Sequence, residues 1–378
     1  FSCKEIRAFK RGTMKKRFPS TLFLFYRRVT IAISLEGILG WGWLGSLLSK
    51  VFAFLVACWN RFSWSTPYRA RSTVISVGNI VVGGAGKTPT VLWLAEALRL
   101  RGYSCGVLSR GYKSQSSRQK KLTVVDSKVH SASYVGDEPL LMAEKLPEGS
   151  VWVHKDRRIS AARAAEKFGI LLLDDGLQYR KLHKDVEIAV VNGQDPLGGR
   201  AFFPKGRLRD FPLRLKTVDA IIVNGGGKEA GTVVKRVSNA PQIFVKPTIA
   251  SVVWTHNGER IPKEALRELR VGVFCGLGFP QGFLNMLREE GIHILGKYLL
   301  PDHAAITKKE LNYFCQQMAM RQGQGLLCTE KDSVKLPRLS GEVSLLPIAK
   351  VEMRLSVNQD DTLSLLNMIE QIHKNRGN

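Results

Sequence analysis

The sequence predicts an α/β fold: a largely parallel sheet domain, a second and smaller α/β domain, and a hydrophobic helix ahead of both. Three observations predict it. From Thr73 onward, short apolar β-branched runs alternate with segments whose apolar residues recur at helical spacing. A glycine-rich turn, "GGAGKT" at residues 83–88, joins the first of those runs to the first helical segment. A long apolar stretch, Thr30 to Trp59, precedes both and follows a basic one.

Residues 1–70 are expected to associate with a membrane. Lys4, Arg7, Lys10, Arg11, Lys15, Lys16, Arg17, Arg27 and Arg28 make the start basic, and Met14 is a candidate initiation site. Ile38–Trp59 is long enough to span a bilayer, which takes about 20 residues. Lys50 lies within it, at a cost of roughly 2.5–3.5 kcal/mol at a helix centre. A cleaved signal peptide fits poorly, because the run is too long and no small-residue cleavage site follows. A single span would set the basic start opposite a cytoplasmic body, against the positive-inside tendency. A helix or hairpin in the interface suits better, its cations on anionic headgroups and its Leu, Phe and Trp in the acyl boundary. The alternative is a buried helix of a soluble core.

Residues 71–225 then read as one α/β domain. "TVISVGN", "SCGVLSRG", "KLTVV", "VWVHK", "ILLLDD", "VEIAVV" and "DAIIVNG" are nearly continuous apolar runs, as buried parallel strands are. "TPTVLWLAEALRLRG" and "DRRISAARAAEKFG" have helical spacing and close on a capping glycine. "NGGGKEAGTVVKR" (224–236) reads as a hinge. Beyond it, 226–349 holds a second set of strands: "PQIFVKPTIASVVW", "RVGVFCGLG", "GIHILGKYLL" and "GQGLLCTEKD". Residues 350–378 read as a carboxyl-terminal helix, amphipathic over "TLSLLNMIEQIHK", that can pack back on the first domain.

Composition narrows the partners. A chain of 378 residues suffices for two domains of about 150 residues each. Its six cysteines (Cys3, Cys58, Cys105, Cys275, Cys315, Cys328) form no C-x-x-C pair, which argues against zinc or a disulfide framework. The net charge of +25 calls for an anionic partner: nucleic acid, anionic lipid or a phosphorylated substrate. No helix-turn-helix, zinc-finger or RNP-type pattern supports nucleic acid.

The chemistry concentrates in four places. The glycine turn has the context of a phosphate-binding loop: a buried strand enters, Gly83, Gly84 and Gly86 bare their amides, and a helix begins at Thr88 or Pro89. Lys87 would reach the β- and γ-phosphates and Thr88 would ligate Mg²⁺, so the first domain reads as a P-loop NTPase-type sheet. Val81 stands where the usual G-x-x-x-x-G-K-[ST] pattern has glycine. "ILLLDDGLQ" brings Asp174 and Asp175 to the carboxyl edge of the sheet, Asp174 as the Mg²⁺-side carboxylate and Asp175 toward metal or substrate. "VGDEP" offers Asp137 and Glu138, and "LPDHAAIT" offers Asp302 and His303; each pair also reads as a helix cap.

Together "SVGNIVVGGAGKTP", "VLSRGYK", "VGDEPLLMA", "LLLDDGLQYRKLHKDVEIAVVN", "GGRAFFPKGRLRD", "FCGLGFPQGF", "LPDHAAIT" and "LLCTEKDSVKL" resemble the tetraacyldisaccharide 4'-kinase family, in the family's order, from about Ser72 to Leu336. The resemblance implies transfer of the γ-phosphate of ATP, with Mg²⁺, to the 4'-hydroxyl of an acylated disaccharide 1-phosphate. It implies a protein of the bacterial inner membrane, with its active site facing the cytoplasm between two α/β domains. No nucleic acid is implied, and no protein partner can be inferred. Val81, Val82, Gly83, Gly84, Ala85, Gly86, Lys87 and Thr88 fall on the family's nucleotide loop. Asp137 falls on its proposed catalytic base and His303 on the dyad histidine. Asp175 is read with them as catalytic, Asp174 and Thr88 as metal ligands, and Glu138, Gln178, Arg209 and Asp210 as contacting or supporting the substrate.

Three positions depart from that pattern. Tyr179 stands where the family has histidine, Ala304 where a second histidine often follows "PDH", and Asp210 where glutamate is usual. Two rivals remain: another phosphate-loop enzyme such as a small-molecule kinase or partitioning-type ATPase, and a basic membrane-bound protein sensing nucleotide or binding nucleic acid.

Overall fold

The structure, a computed structural model, describes residues 42–62, 66–337 and 345–377. The basic stretch at 4–28, Met14 and the first part of Thr30–Trp59 lie outside the described residues.

Among the described residues, thirteen strands form one sheet: β1 (Thr73–Gly78), β2 (Cys105–Ser109), β3 (Thr123–Val124), β4 (Val151–Val153), β5 (Ile170–Asp174), β6 (Val186–Asn192), β7 (Ala220–Asn224), β8 (Gln242–Trp254), β9 (Arg260–Ile261), β10 (Arg270–Cys275), β11 (His293–Leu299), β12 (Gly325–Thr329) and β13 (Ile348–Val357). Their order is β11-β10-β12-β13-β8-β7-β6-β1-β5-β2-β4-β3, with β9 beside β8. β1 is central in the amino-terminal half, parallel to β5 on one side and β6 on the other. Every residue of β1 and β5 is buried, which is why both read as unbroken apolar runs.

Two long strands join the halves. β8 runs parallel to β7 through Gln242–Val245 and antiparallel to β13 from Val245 to Trp254. β13 in turn runs parallel to β12 through Ile348–Val351. Helices of the amino-terminal half include α1 (Trp43–Phe62), α2 (Lys87–Leu100), α3 (Asp137–Lys145), α4 (Arg157–Ala164) and α5 (Gly227–Lys235); α6 (Pro280–Glu289), α7 (Lys308–Met320), α8 (Glu330–Ser333) and α9 (Gln359–Gly377) follow.

Two expectations are corrected. The stretch at 224–236 is not a hinge: Asn224 closes β7, Gly225, Gly226 and Gly227 turn with φ of 77°, 74° and 56°, and α5 follows with Ala230 and Val234 buried. The carboxyl-terminal segment is not helical from 350, since β13 occupies it to Val357 before α9 begins. Leu365, Leu366 and Ile369 of α9 belong to the core cluster that holds β1, β6 and β7.

α1 is the one described helix long and apolar enough to cross a membrane. It leaves Trp43, Leu44, Leu47, Val51, Phe54, Trp59 and Phe62 exposed. Its attachments are specific. Ser49 donates to the Phe202 carbonyl at 2.7 Å, Asn60 donates to Asp210 at 3.1 Å, and the Phe52 ring meets those of Phe202 and Phe203.

Candidate active site

The turn after β1 has the geometry its glycines suggested. Gly83 and Gly86 sit at φ of 101° and 92°, and Gly86 caps α2 at its amino end. A side chain at Gly86 would run into the Asn224 amide, which donates to the Ala85 carbonyl at 3.0 Å. The departure at Val81 has a physical reason. Val81 bridges to Leu208 as a short strand pair and is buried, while Val82 N–H donates to the Arg207 carbonyl at 2.7 Å. Backbone pairing holds this end of the loop, so no glycine is required there.

Beside the loop lie two acids, Asp174 at the end of β5 and Asp175 just after it. Asp174 is buried; its Oδ2 accepts from Ser109 Oγ at 3.0 Å, and its Oδ1 has no hydrogen-bond partner. Burial first, then the nearby Glu138 and Asp175, push its carboxyl up, with Lys87 opposing. Asp175 turns the chain at φ 50°. Enclosure in the cleft would raise its carboxyl, but the Arg209 guanidinium and Lys87 outweigh that and hold it well below the usual carboxylate range. Arg209 Nη1 donates to Asp175 Oδ2 at 2.9 Å, and Lys87 Nζ lies 3.6 Å from Asp175 Oδ1.

From the carboxyl-terminal half comes His303, at φ 64° in the turn after β11. Its Nδ1 lies 3.0 Å from Asp137 Oδ2, at the first turn of α3. Asp137 is buried, yet the hydrogen bond to His303 and the charges of Lys331 and Lys335 outweigh burial and hold its carboxyl well below the usual range. Lys331 Nζ donates to Glu138 Oε1 and lies against His303 Nε2, each at 3.2 Å. Asp302 lies behind them, its Oδ1 3.7 Å from Lys331 Nζ. The halves also touch through backbone: a side chain on Gly278, after β10, would meet Gly83 Cα at 3.1 Å and Gly84 N at 3.2 Å.

Lys87, Thr88, Glu138, Asp174, Asp175, Arg209 and His303 all line one cleft of about 1930 Å³. Phe52, Leu55, Val56 and Trp59 of α1 line the same cleft. Gln178 donates to the Asn79 carbonyl at 2.9 Å and to Asp210 at 3.3 Å. Asp210 is buried, accepts from Asn60 of α1 and lines the same cleft as Asp174 and Asp175. Tyr179 donates to Asp156 at 2.6 Å, and the buried Arg157 guanidinium lies 3.7 Å from the centre of its ring. Burial and the bond to Asp156 push that phenol up to about 12.

The sequence reading missed Lys331, Lys335 and Arg157 as individual residues. Two of them lie inside "LLCTEKDSVKL", but their partners are distant: Lys331 and Glu138 stand 193 residues apart. No spacing rule could have joined them.

Comparison with known proteins gives a consistent answer. A family model described as LpxK, tetraacyldisaccharide-1-P 4'-kinase, matches residues 41–371. A tetraacyldisaccharide 4'-kinase of Chlamydia caviae is 62% identical over 366 residues, 96% of this chain and 100% of that one. One from Shewanella oneidensis is 35% identical over 300 residues, 78% of this chain and 82% of that one. The crystal structure of the "apo" form of LpxK from Aquifex aeolicus in complex with ATP superposes with a TM-score of 0.64 at 28% identity, covering 85% of this chain and 97% of that one.

Proposed function

The chain belongs to the tetraacyldisaccharide-1-P 4'-kinase family, and from that premise we propose how its own residues phosphorylate the 4'-hydroxyl of an acylated glucosamine disaccharide 1-phosphate with ATP in lipid A biosynthesis. The observation that carries the reading is the contact of the buried Asp137 with His303, which lines the same cleft as Lys87 and Asp175. The amides of Gly83–Gly86 and the start of α2 bind the triphosphate, and Lys87 offsets charge on its terminal phosphates. The acceptor oxygen bonds to the γ-phosphorus, the bond to the β-phosphate oxygen breaks, and ADP leaves with that electron pair. Asp137, oriented by His303, takes the hydroxyl proton. Its low basicity suits a loose transition state, in which the proton leaves late.

The residues fit Mg²⁺. Asp174 carries a buried Oδ1 without a partner, and Thr88 stands beside the loop at the start of α2. These two would hold the ion, which when bound neutralises charge on the β- and γ-phosphate oxygens. Asp174 is bonded to Ser109 and so is fixed for that role.

Residues 71–225 form the nucleotide domain in this reading, with α5 packed on their core, and the rest of 226–349 is the domain that brings His303 across. The acyl chains lie along the α1 end of the cleft. The exposed face of α1 rests in the bacterial inner membrane, with the catalytic body on its cytoplasmic side. Release by an alkaline carbonate wash would rule out a true span.

The test is a mixed-micelle assay with γ-labelled ATP, Mg²⁺ and tetraacyl disaccharide 1-phosphate, run on wild type and Lys87→Ala. Label moves to the lipid and is lost in the variant. ATP binding without lipid labelling would overturn the acceptor assignment and leave the nucleotide site.

A further inference from the structure

We propose that Lys331 is a positioning residue that fixes the tautomer of His303: the ammonium donates to Nε2, so the imidazole proton sits on Nδ1 and points at Asp137. An ammonium has three donors and no acceptor, so a 3.2 Å contact with Nε2 requires that nitrogen to present its lone pair. The proton left to the ring is on Nδ1, 3.0 Å from Asp137 Oδ2. Asp302 also faces Nε2, at 3.9 Å, and alone would favour a proton there; Lys331 stands nearer and shares that carboxylate at 3.7 Å. Tyr112 packs edge-on to the imidazole, and Lys335 lies 3.7 Å from Asp137 Oδ2. Burial works against the charge of Lys331, but Glu138, Asp302 and Asp137 outweigh it and raise the pKa of the ammonium, keeping it a donor.

The catalytic consequence rests on the proposed function: His303 holds Asp137 in place and takes no proton from the acceptor at Nε2. The tautomer itself does not rest on it, so the two can fail separately.

The test is ¹⁵N spectroscopy of histidine-labelled protein, with His303 assigned among the seven histidines by comparison with His303→Gln. Wild type should show a protonated Nδ1 and a bare Nε2. Lys331→Met should move the proton toward Nε2 and lower kcat about 10²-fold, with KM for ATP unchanged. Lys331→Arg, which keeps a cationic donor, should retain the wild-type spectrum and most of the rate. A wild-type Nε2–H signal, or one unmoved in Lys331→Met, overturns the proposal. So does a change confined to KM for ATP, which would make Lys331 a phosphate ligand. Absence of lipid phosphorylation by wild type would sink the proposed function while the spectra still decide the tautomer.

Discussion

The two halves of the sheet contribute to one cleft by opposite means. The amino-terminal half delivers its groups from strand ends: Lys87 and Thr88 follow β1, Asp174 closes β5, and both strands are buried along their whole length. The carboxyl-terminal half delivers His303 from a turn at positive φ, Lys331 from the short helix α8, and Gly278 against the phosphate loop, beside an edge strand, β11, that has no fully buried residue. In the proposed reading, one half is the frame for phosphates and the other supplies orientation to a carboxylate that belongs to the first.

That division can be broken experimentally. Lys87→Ala, in the frame, should lose about 10³-fold in turnover, measured as label transferred to lipid. Asp137→Ala should lower kcat by about 10³-fold and His303→Ala by about 10²-fold, with ATP affinity held in equilibrium binding. Equal loss of ATP affinity in both would sink the dyad assignment. Gly278→Ala should part the two loops, raising KM for ATP several-fold while the melting temperature stays put; an unchanged KM would mean the contact is incidental. The smallest effect belongs to Tyr179. Removing its hydroxyl in Tyr179→Phe should cost about 1 kcal/mol in denaturant unfolding. Since its phenol is pushed up to about 12, residue 179 stays neutral through the working range. Tyr179→His should add a limb near pH 6.5 to the kcat/KM profile, the imidazole being cationic below it and neutral above.

The same contrast explains what could be read from the sequence. The frame was legible because its information is contiguous: an apolar run, a glycine turn, Lys87 and Thr88 lie within one strand–loop–helix unit. The strands of the second half were legible too, as apolar runs. Its chemistry was not, because Asp302–His303 alone looks like a helix cap and its partner Asp137 lies 166 residues away. The family resemblance supplied that pairing where spacing could not. It could not supply Lys331 as the neighbour of Nε2, which only the folded chain brings to His303. The hinge at 224–236 failed because three glycines in succession look like a linker, while the fold uses them to turn a strand into a helix.

The placement of α9 bears on how the protein is made. The first core needs the last helix: Leu365, Leu366 and Ile369 fill it, His373 Nδ1 lies 2.7 Å from Thr73 Oγ1, and Arg376 pairs with Asp185, which also accepts from the Val74 amide at 2.8 Å. Synthesis runs from the amino end, and domains as a rule fold as they emerge. Here the nucleotide half must wait, its apolar flank open, until α9 has left the ribosome. A nascent chain stalled at residue 350 should therefore recruit chaperones, whereas one released after α9 should not.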